Sequence, residues 1–413
     1  MTLAPAAAER STSSATASEA GKVSAFQTGV VCLGASNSGS CLSCLLILTL
    51  RNFLILFRMK LKKLSYRDFN WELKDLQLGQ ANLIVGKNAT GKSRTLQVID
   101  LLLKTIRGER KLNWAAEWKL EFENYKKQIV RYNFKTKIPQ GIVEEEITID
   151  NENYLTRSGD GSATMRSESD GHLAGFYPPN DRLVLQVRRD TKDFPFLENI
   201  ADWEKNSHSF KFGNIAPKQW ANVQDFGQLM SSEDVPTFFQ DLSAKDVNTV
   251  ISEMNNIGFK IISINREQRT DTSVLIIREE NLDKPIPHYN LSQGMFRAIS
   301  LIIFLQYLIS QKKPAMVLID DLCEGMDYDR GRKLGKLIFD KCTSNDIQLI
   351  STSNDNFLMD VVDIECLNVL RRNGKTVTSI NYFNHPDLFN EFALTGFSNF
   401  DFFSSNYLAK HNL

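Results

Sequence analysis

The stretch that most constrains the fold is the glycine-rich octapeptide GKNATGKS at residues 86–93. It follows the apolar run NLIV (82–85), which is typical of a buried strand, and apolar residues then recur at helical spacing up to Gly108. The pattern G-x-x-x-x-G-K-[ST] between a strand and a helix is that of a phosphate-binding loop, the P-loop. A chance turn rich in glycine and lysine would not explain both flanks. The sequence therefore predicts an α/β fold with this loop at the end of a strand.

The residue types in the P-loop suit a nucleotide triphosphate and its metal ion. Glycines let the backbone wrap closely around a phosphate, and successive N–H groups and the helix N-terminus supply positive potential. Lys92 is expected to reach the β- and γ-phosphates, and the Ser93 hydroxyl to ligate Mg²⁺. The predicted cofactors are ATP and Mg²⁺. The predicted nucleotide-binding residues are Gly86, Lys87, Asn88, Ala89, Thr90, Gly91, Lys92, Ser93 and Arg94.

A second motif, MVLIDD at residues 316–321, places two carboxylates after four apolar residues. Buried parallel strands have this pattern, and their carboxyl ends face the ligand crevice of an open α/β sheet. Asp320 is expected to hold the Mg²⁺ shell, through water. Asp321 is expected to orient or deprotonate the attacking water. The alternative is an acidic turn at the surface.

The third motif is YNLSQGMFRAIS, in which Ser292 is placed to cap a helix with an apolar stripe. Alone, it describes a capped core helix. In the order P-loop, LSQG, acidic strand, the chain resembles the ABC/SMC-type ATPases. Within them it is most similar to the compact RecF-like and OLD-like bacterial AAA-type ATPases, which lack long coiled-coil arms. The resemblance covers about residues 80–106 and 286–360.

This resemblance implies a P-loop NTPase fold of ABC-ATPase type, a mixed core sheet flanked by helices. It also implies a head-to-head homodimer or higher oligomer, with two ATP molecules between protomers. Ser292, Gln293 and Gly294 of one chain would contact the γ-phosphate bound to Lys92 of the other, and Asp327 in EGMD (324–327) would cross the interface. Gln186 is a candidate for the lid glutamine that senses metal and water, or else a polar residue on a helix.

Two positions depart from the family pattern. Asp321 stands where the family usually has glutamate, so its carboxylate is one methylene shorter, and Glu324 could compensate only if its loop bends inward. Ser353 or Asn354 occupies the position of the family's switch histidine, and neither side chain carries positive charge. His385, the nearest downstream histidine, is expected to be structural or exposed. We therefore expect a slow, regulated ATPase.

The chain of 413 residues is long enough for one large domain with an insertion. We expect the ATPase domain over 59–413, with an inserted subdomain over about 107–285. The insertion is predicted to hold an antiparallel β meander (116–167), a loop (168–182), a mostly helical part (183–257) and a hairpin. Residues 1–58 are of low complexity and end in an apolar run (41–57) that Arg51 and Asn52 interrupt. They are interpreted as an extension outside the fold or as a weak membrane anchor.

Charge and cysteine content limit the partners and the compartment. Lys+Arg and Asp+Glu are equal at 49 each, so no overall basic field indicates nucleic acid. Local basic stretches at 104–111, 125–137 and 186–192 are candidate DNA contacts or else solvated charged faces. Only Cys41 and Cys44 form a C-x-x-C pair, which disfavours a zinc site or a disulfide framework and favours the reducing cytoplasm.

Three functional hypotheses follow. The first is an ATPase that drives or gates a partner, in DNA repair or anti-phage defence by family resemblance, with a separately encoded effector. The second is an ATP-gated scaffold with little hydrolysis. The third, a membrane-tethered transporter subunit, depends on residues 41–57 alone. The aromatic-rich tail after residue 385 either caps the core or forms a docking surface for a partner.

Overall fold

The computed structural model describes residues 59–110, 112–217, 234–269, 273–405 and 407–411. The extension over residues 1–58, with its apolar run and the Cys41/Cys44 pair, lies outside the described residues. The boundary at residue 58 therefore stays a prediction.

The described strands belong to two sheets. Their bounds are β1 Met59–Asp68, β2 Glu72–Gln77, β3 Ala81–Val85, β4 Ala116–Asn124, β5 Ile129–Lys137, β6 Gly141–Ile149, β7 Glu152–Arg157, β8 Ala163–Arg166, β9 Leu173–Phe176, β10 Ser207–Lys211, β11 Ile261–Gln268, β12 Ser273–Glu279, β13 Ile286–Pro287, β14 Ala315–Asp320, β15 Ile347–Thr352, β16 Leu367–Asn373 and β17 Thr376–Asn381. Strands β11–β13 form the smaller sheet. In the larger sheet the order is β10-β14-β15-β3-β16-β17-β2-β1-β4-β5-β6-β7-β8-β9.

The described α-helices lie between these strands and after the last one. Their bounds are α1 Lys92–Arg107, α2 Val184–Val187, α3 Pro195–Lys205, α4 Asp234–Gln240, α5 Ala244–Ile257, α6 Gln293–Gln311, α7 Tyr328–Ser344, α8 Asn356–Met359, α9 Pro386–Ala393, α10 Asn399–Ser404 and α11 Tyr407–Lys410.

A parallel core positions the site. β10, β14, β15 and β3 are parallel neighbours, and every residue of β3 and β15 is buried. The carboxyl ends of parallel strands meet at one edge of a sheet. The P-loop after β3, the carboxylates at the end of β14 and the residues after β15 therefore share that edge. The mixed sheet flanked by helices agrees with the predicted fold class.

The predicted meander is present and continues the core sheet. β4 pairs with β1 over nine residue pairs, so β4–β9 extend the same sheet and do not form a separate one. Alternate residues of β5 are buried and half-exposed, as the period-2 pattern predicts. β9 lies in the stretch predicted to be a loop, and β10 in the part predicted to be mostly helical. Both strands are only four or five residues long, too short for a periodic pattern to reveal.

Helix α6 is mostly buried. Among the described helices it alone is long and apolar enough to span a membrane, and 72% of its apolar window is buried inside the protein. It contacts α4, α5 and α7, as a core helix does. The tail also packs inward: Phe389, Phe392 and Phe402 are buried. Core capping therefore accounts for these aromatic residues of the tail, although Leu394 and Phe397 stay exposed.

Candidate active site

The P-loop has a backbone that depends on its glycines. A Cβ on Gly86 would lie 2.5 Å from Thr90 Oγ1 and 3.2 Å from the carbonyl oxygen of Leu370. Gly91, which precedes helix α1, has a φ of 108°, in the left-handed region that favours glycine. These positions accept no side chain without strain. The loop is therefore shaped by the residues that define its sequence motif.

Lys92 lies folded into its own loop. Its Nζ donates to the carbonyl oxygen of Gly86 at 2.8 Å and to that of Lys87 at 3.4 Å, and the residue is only 7% exposed. Burial lowers the pKa of Lys92, while the nearby Asp321 and Asp320 oppose that shift. The ammonium group is thus placed inside the curve of the loop, where a phosphate oxygen could replace the carbonyl acceptors.

Ser93 and Asp320 line one small cavity between α1, β10 and β14. The cavity has a volume of about 20 Å³, roughly the room that one water or one ion needs. Hydroxyl and carboxylate oxygens are the ligand types that Mg²⁺ prefers. The residues present therefore fit a magnesium ion held with the help of phosphate oxygens and water.

Thr352, which the sequence analysis missed, fixes both acidic residues. Its Oγ1 donates to Asp320 Oδ1 at 2.6 Å and accepts from the backbone N–H of Asp321 at 2.9 Å. Thr352 ends β15, the strand beside β14. A hydroxyl residue at the end of an apolar strand was the signal that could have revealed it.

Asp321 has a backbone that explains its residue type. Its φ is 52°, in the left-handed region where aspartate and asparagine are enriched among non-glycine residues. Burial, helped by the charges of Asp320 and Glu324, raises the pKa of Asp321 to about 6. The carboxyl group thus titrates close to neutral pH, as a general base should.

Glu324 lies in the loop after Asp321, and its side chain is exposed. Its carboxylate packs against the backbone of Gly213, where a Cβ would come within 1.8 Å of Glu324 Oε2. The side chain is therefore directed to the loop after β10, although it stays close enough to raise the pKa of Asp321.

The two candidates for the switch position differ in environment. Ser353 is buried, and its hydroxyl donates to the carbonyl oxygen of Leu322 at 3.3 Å and accepts from the N–H of Asp355 at 3.1 Å. Its hydrogen-bonding capacity is used inside the protein. Asn354 is exposed. Of the two, Asn354 is the side chain that lies at the surface of this edge.

Gln186 does not line the nucleotide site in this structure. It lies on the short helix α2, and its Nε2 donates to the carbonyl oxygens of Thr105 at 2.6 Å and Ile106 at 3.1 Å. These groups are at the C-terminal end of α1, whereas Lys92 begins that helix. A helix of this length places the two ends about 22 Å apart. Gln186 is a helix-capping residue here, which corrects its expected role as lid glutamine.

The side chain of Arg94 is held by residues of the β1–β2 turn, whose Trp71 lies against Gly91 of the P-loop. Its Nη2 donates to Asp68 Oδ2 at 3.0 Å, and its guanidinium lies 4.9 Å from the centre of the Trp71 ring. The side chain thus supports the β1–β2 turn, and its expected contact with nucleotide stays a prediction.

The predicted interface residues lie at helix N-termini on the surface. Ser292 caps α6 and accepts from the N–H of Met295 at 3.4 Å, and both Ser292 and Gln293 are exposed. Among the described residues, no atom other than those of the adjacent residues and of the helix's own backbone lies within 4 Å of where a Cβ on Gly294 would be. Asp327 caps α7, accepts from the N–H of Arg330 at 3.0 Å, and is exposed.

A buried arginine on α6, also missed by the sequence analysis, ties these parts together. Arg297 donates from Nε to the carbonyl oxygen of Ile215 at 3.0 Å and from Nη1 to that of Glu324 at 2.7 Å. Its Nη2 donates to the carbonyl oxygen of Gly213. The helix that begins at Ser292 is thereby fixed to the loops that follow β10 and β14.

Solved structures with a similar arrangement share little sequence with the chain. An SMC head bound to the C-winged helix domain of ScpA has 12% identity and a TM-score of 0.44, covering 78% of this chain and 96% of that one. The SMC head domain from Thermotoga maritima has 17% identity and a TM-score of 0.42, covering 78% and 98%. CbiO1 from Clostridium perfringens, part of an ABC transporter complex, has 13% identity and a TM-score of 0.35, covering 82% and 95%.

A match of the sequence to a protein-family model shows which family the chain belongs to. No curated protein matches the chain. The model of one protein family matches residues 81–360, about two thirds of the chain, from the P-loop strand to the residues after β15. The chain therefore belongs to the family described as "AAA domain, putative AbiEii toxin, Type IV TA system".

Proposed function

We propose that this chain is a Mg²⁺-dependent ATPase that dimerises head-to-head around ATP and gates a partner. The observation that carries the proposal is that Ser93 and Asp320, which are far apart in sequence, line one ion-sized cavity beside the buried Lys92. A family of P-loop ATPases implies nucleotide binding, and this arrangement supports a divalent cation beside the phosphates.

Each residue of the site has a role that follows from its chemistry. Lys92 would bind the terminal phosphates, and Ser93 and Asp320 would hold Mg²⁺, which supplies positive charge that offsets charge developing on the phosphoryl group. Asp321 would take the proton of the attacking water. The hydroxyl group of Thr352 fixes the carboxylate of Asp320 and the backbone of Asp321 relative to each other.

The exposed N-terminus of α6 supports a second copy of the chain as partner. Ser292, Gln293 and Gly294 leave backbone N–H groups and a helix dipole facing outward, which favours a phosphate carried by another protomer. Asp327, at the start of α7, is exposed for a contact across the same interface.

Slow hydrolysis follows from two features. The carboxylate of Asp321 is one methylene shorter than the glutamate that the resemblance implies, and neither Ser353 nor Asn354 brings a positive charge to the γ-phosphate. The same features favour the second candidate function, an ATP-gated scaffold with little hydrolysis. Measured turnover separates the two.

The biological setting we propose is anti-phage defence or DNA repair in the cytoplasm, with a separately encoded effector. The family description names a toxin of a type IV toxin–antitoxin system, which favours defence. For DNA the support is weaker, because several basic side chains in the three candidate stretches are ion-paired: Lys104–Asp100, Arg107–Glu204, Lys127–Glu123, Arg131–Glu121, Lys135–Glu144 and Arg189–Glu198. A transporter subunit remains a lesser alternative that depends on residues 41–57.

The test is steady-state ATP hydrolysis by the full chain, and by a version that starts at Met59, beside Lys92→Ala and Asp321→Asn. Each protein is assayed with and without duplex DNA, and by size exclusion in ATP and Mg²⁺. Turnover that both substitutions abolish, with a stable dimer of Asp321→Asn, supports the ATPase. ATP-dependent dimers with turnover no higher than that of Lys92→Ala would support the scaffold, and a wild type that neither binds ATP nor dimerises would refute both.

A further inference from the structure

The end of strand β10 brings a second lysine to the proposed metal site. β10 runs parallel to β14, and Lys211 is paired in register with Asp320. Residues paired in register on adjacent strands are about 4.8 Å apart, and their side chains point to the same face of the sheet. Lys211 and Asp320 both line the cavity of about 20 Å³ that Ser93 also lines.

Packing on the opposite face explains why Lys211 points this way. Phe210 is buried against α6, where its ring lies stacked 6.4 Å from that of Phe304. Successive side chains of a strand point to opposite faces, so Lys211 points to the face that α1 covers. The chain after Lys211 is then held by Arg297, which donates to the carbonyl oxygens of Gly213 and Ile215.

The strand order places Lys211 and Lys92 on opposite sides of Asp320. In the sheet the strands lie in the order β10-β14-β15-β3. Asp320 ends β14, and the P-loop follows β3. Lys211 therefore lies on the side of Asp320 that is remote from the P-loop. A phosphate chain held by Lys92 and reaching towards Asp320 would have one lysine on each side.

We propose that Lys211 is a second triphosphate-binding lysine, which donates to the terminal phosphate and lets nucleotide bind before the divalent cation. The inference rests on the proposed function, since it concerns the same ATP site. An ammonium group has three donors, so it can serve both a carboxylate and a phosphate oxygen. It also supplies in the same chain a positive charge that Ser353 and Asn354 lack.

Two measurable consequences follow from a lysine that lines the same cavity as Asp320. The positive charge of Lys211 replaces part of the charge of the metal, so ATP binds with EDTA present. The same charge repels Mg²⁺ from the cavity, so wild type needs more Mg²⁺ than a neutral variant does.

The experiment measures ATP affinity of the full chain by titration calorimetry, in excess Mg²⁺ and in EDTA. Wild type is compared with Lys211→Gln, with Lys211→Arg, which keeps the charge, and with Lys92→Ala. Lys205→Gln is the matched control, because it removes an exposed lysine at the end of α3, outside the cavity. Lys211→Gln is expected to weaken ATP binding in EDTA by about tenfold or more, but in Mg²⁺ by less than about threefold. Lys211→Arg and Lys205→Gln should resemble wild type.

Two results would overturn the proposal: wild type that fails to bind ATP in EDTA while binding it in Mg²⁺, or Lys211→Gln that binds as wild type does in EDTA. Either would leave Lys211 as a structural neighbour of Asp320. Failure of the proposed function looks different, because Lys92→Ala would then bind ATP as well as wild type in both buffers.

Discussion

The hydroxyl group of Thr352 donates to the carboxylate of Asp320 at 2.6 Å, across the boundary between two parallel strands. The same oxygen accepts the backbone N–H of Asp321. One side chain therefore sets the orientation of the proposed metal ligand and the backbone of the proposed base. Since Thr352 has no direct place in the predicted chemistry, its effect on binding measures how far orientation matters.

Replacing Thr352 with valine should weaken Mg²⁺-ATP binding by about tenfold, because Asp320 loses its fixed orientation. The substitution keeps the shape but leaves the N–H of Asp321 without its acceptor, so unfolding free energy should fall by about 1–3 kcal/mol. Calorimetric titration measures the affinity for Mg²⁺-ATP, and urea unfolding measures the free energy of unfolding. Thr352→Ser, which keeps the hydroxyl group, should stay close to wild type. Equal affinities for all three proteins would mean that Asp320 does not hold the metal.

The raised pKa of Asp321 makes hydrolysis depend on pH. The base must be ionised, and in the free protein its pKa is about 6, so kcat/KM should fall as pH drops through 6 with the slope of one proton. Turnover measured between pH 5 and 8.5, with ATP affinity at each pH, tests this. A flat profile over that range would exclude Asp321 as the titrating base.

Replacing Asp321 with the longer glutamate should not raise the rate of hydrolysis, although the resemblance to ABC/SMC-type ATPases implies glutamate at this position. The left-handed backbone at this position favours aspartate or asparagine, so Asp321→Glu should cost about 1 kcal/mol of stability and lower turnover, while Asp321→Asn should keep the stability. Thermal unfolding of the two variants gives the comparison. A glutamate variant that is both stable and faster than wild type would contradict the backbone explanation.

Gln186→Ala should act on stability and leave catalysis alone. The amide caps two carbonyl groups at the C-terminal end of α1, so its loss should lower the unfolding free energy by about 1 kcal/mol. At a temperature where the variant is folded, kcat should stay within about twofold of wild type. A large loss of kcat with unchanged stability would restore Gln186 as a lid residue that moves to the site when nucleotide binds.

The meander contains a buried ion pair whose contribution should vary with pH. Glu145 accepts from the Tyr132 hydroxyl at 2.8 Å and from the N–H of Val184 at 3.0 Å, and it faces Arg157 at 3.6 Å. Burial raises the pKa of Glu145 from 4.5 to about 7, against the pull of Arg157. Between those values the folded protein holds a proton that the unfolded chain has released, so this group lowers stability as pH rises through the window.

Arg157→Met removes the charge that offsets ionised Glu145. The loss of unfolding free energy should therefore be larger at pH 8, about 3–5 kcal/mol, than at pH 5.5, where Glu145 is protonated. Urea unfolding at the two pH values measures the difference. Arg166→Met, which breaks an exposed pair with Glu152 in the same meander, should change stability by less than about 1 kcal/mol at both. Arg157 also donates to the carbonyl oxygens of Pro178, Pro179 and Arg182, and an equal loss at both pH values for Arg157→Met would show that these hydrogen bonds dominate.

The sequence alone predicted the P-loop, the core strands and the meander, because each has a pattern within a short stretch of chain. The P-loop needs glycine at fixed places because no side chain fits at Gly86 or Gly91, so its sequence reveals it directly. Strands β3 and β14 contain the apolar runs LIV and MVLI, β15 begins with the mostly apolar IQLI, and the meander alternates with period 2. The family match over residues 81–360 agrees with the resemblance based on these motifs.

Only the tertiary structure decided which elements that are remote in sequence contact each other. Strand order and register place Thr352 and Lys211 beside Asp320. Packing of α6 places Arg297 against the loops after β10 and β14. Gln186 lies outside the site because α2 packs against the C-terminal end of α1. A lysine or threonine at the end of a strand has no local pattern that distinguishes it from a surface residue. Its neighbours depend on which strands pair, and that is fixed by burial of whole sheet faces over the entire chain.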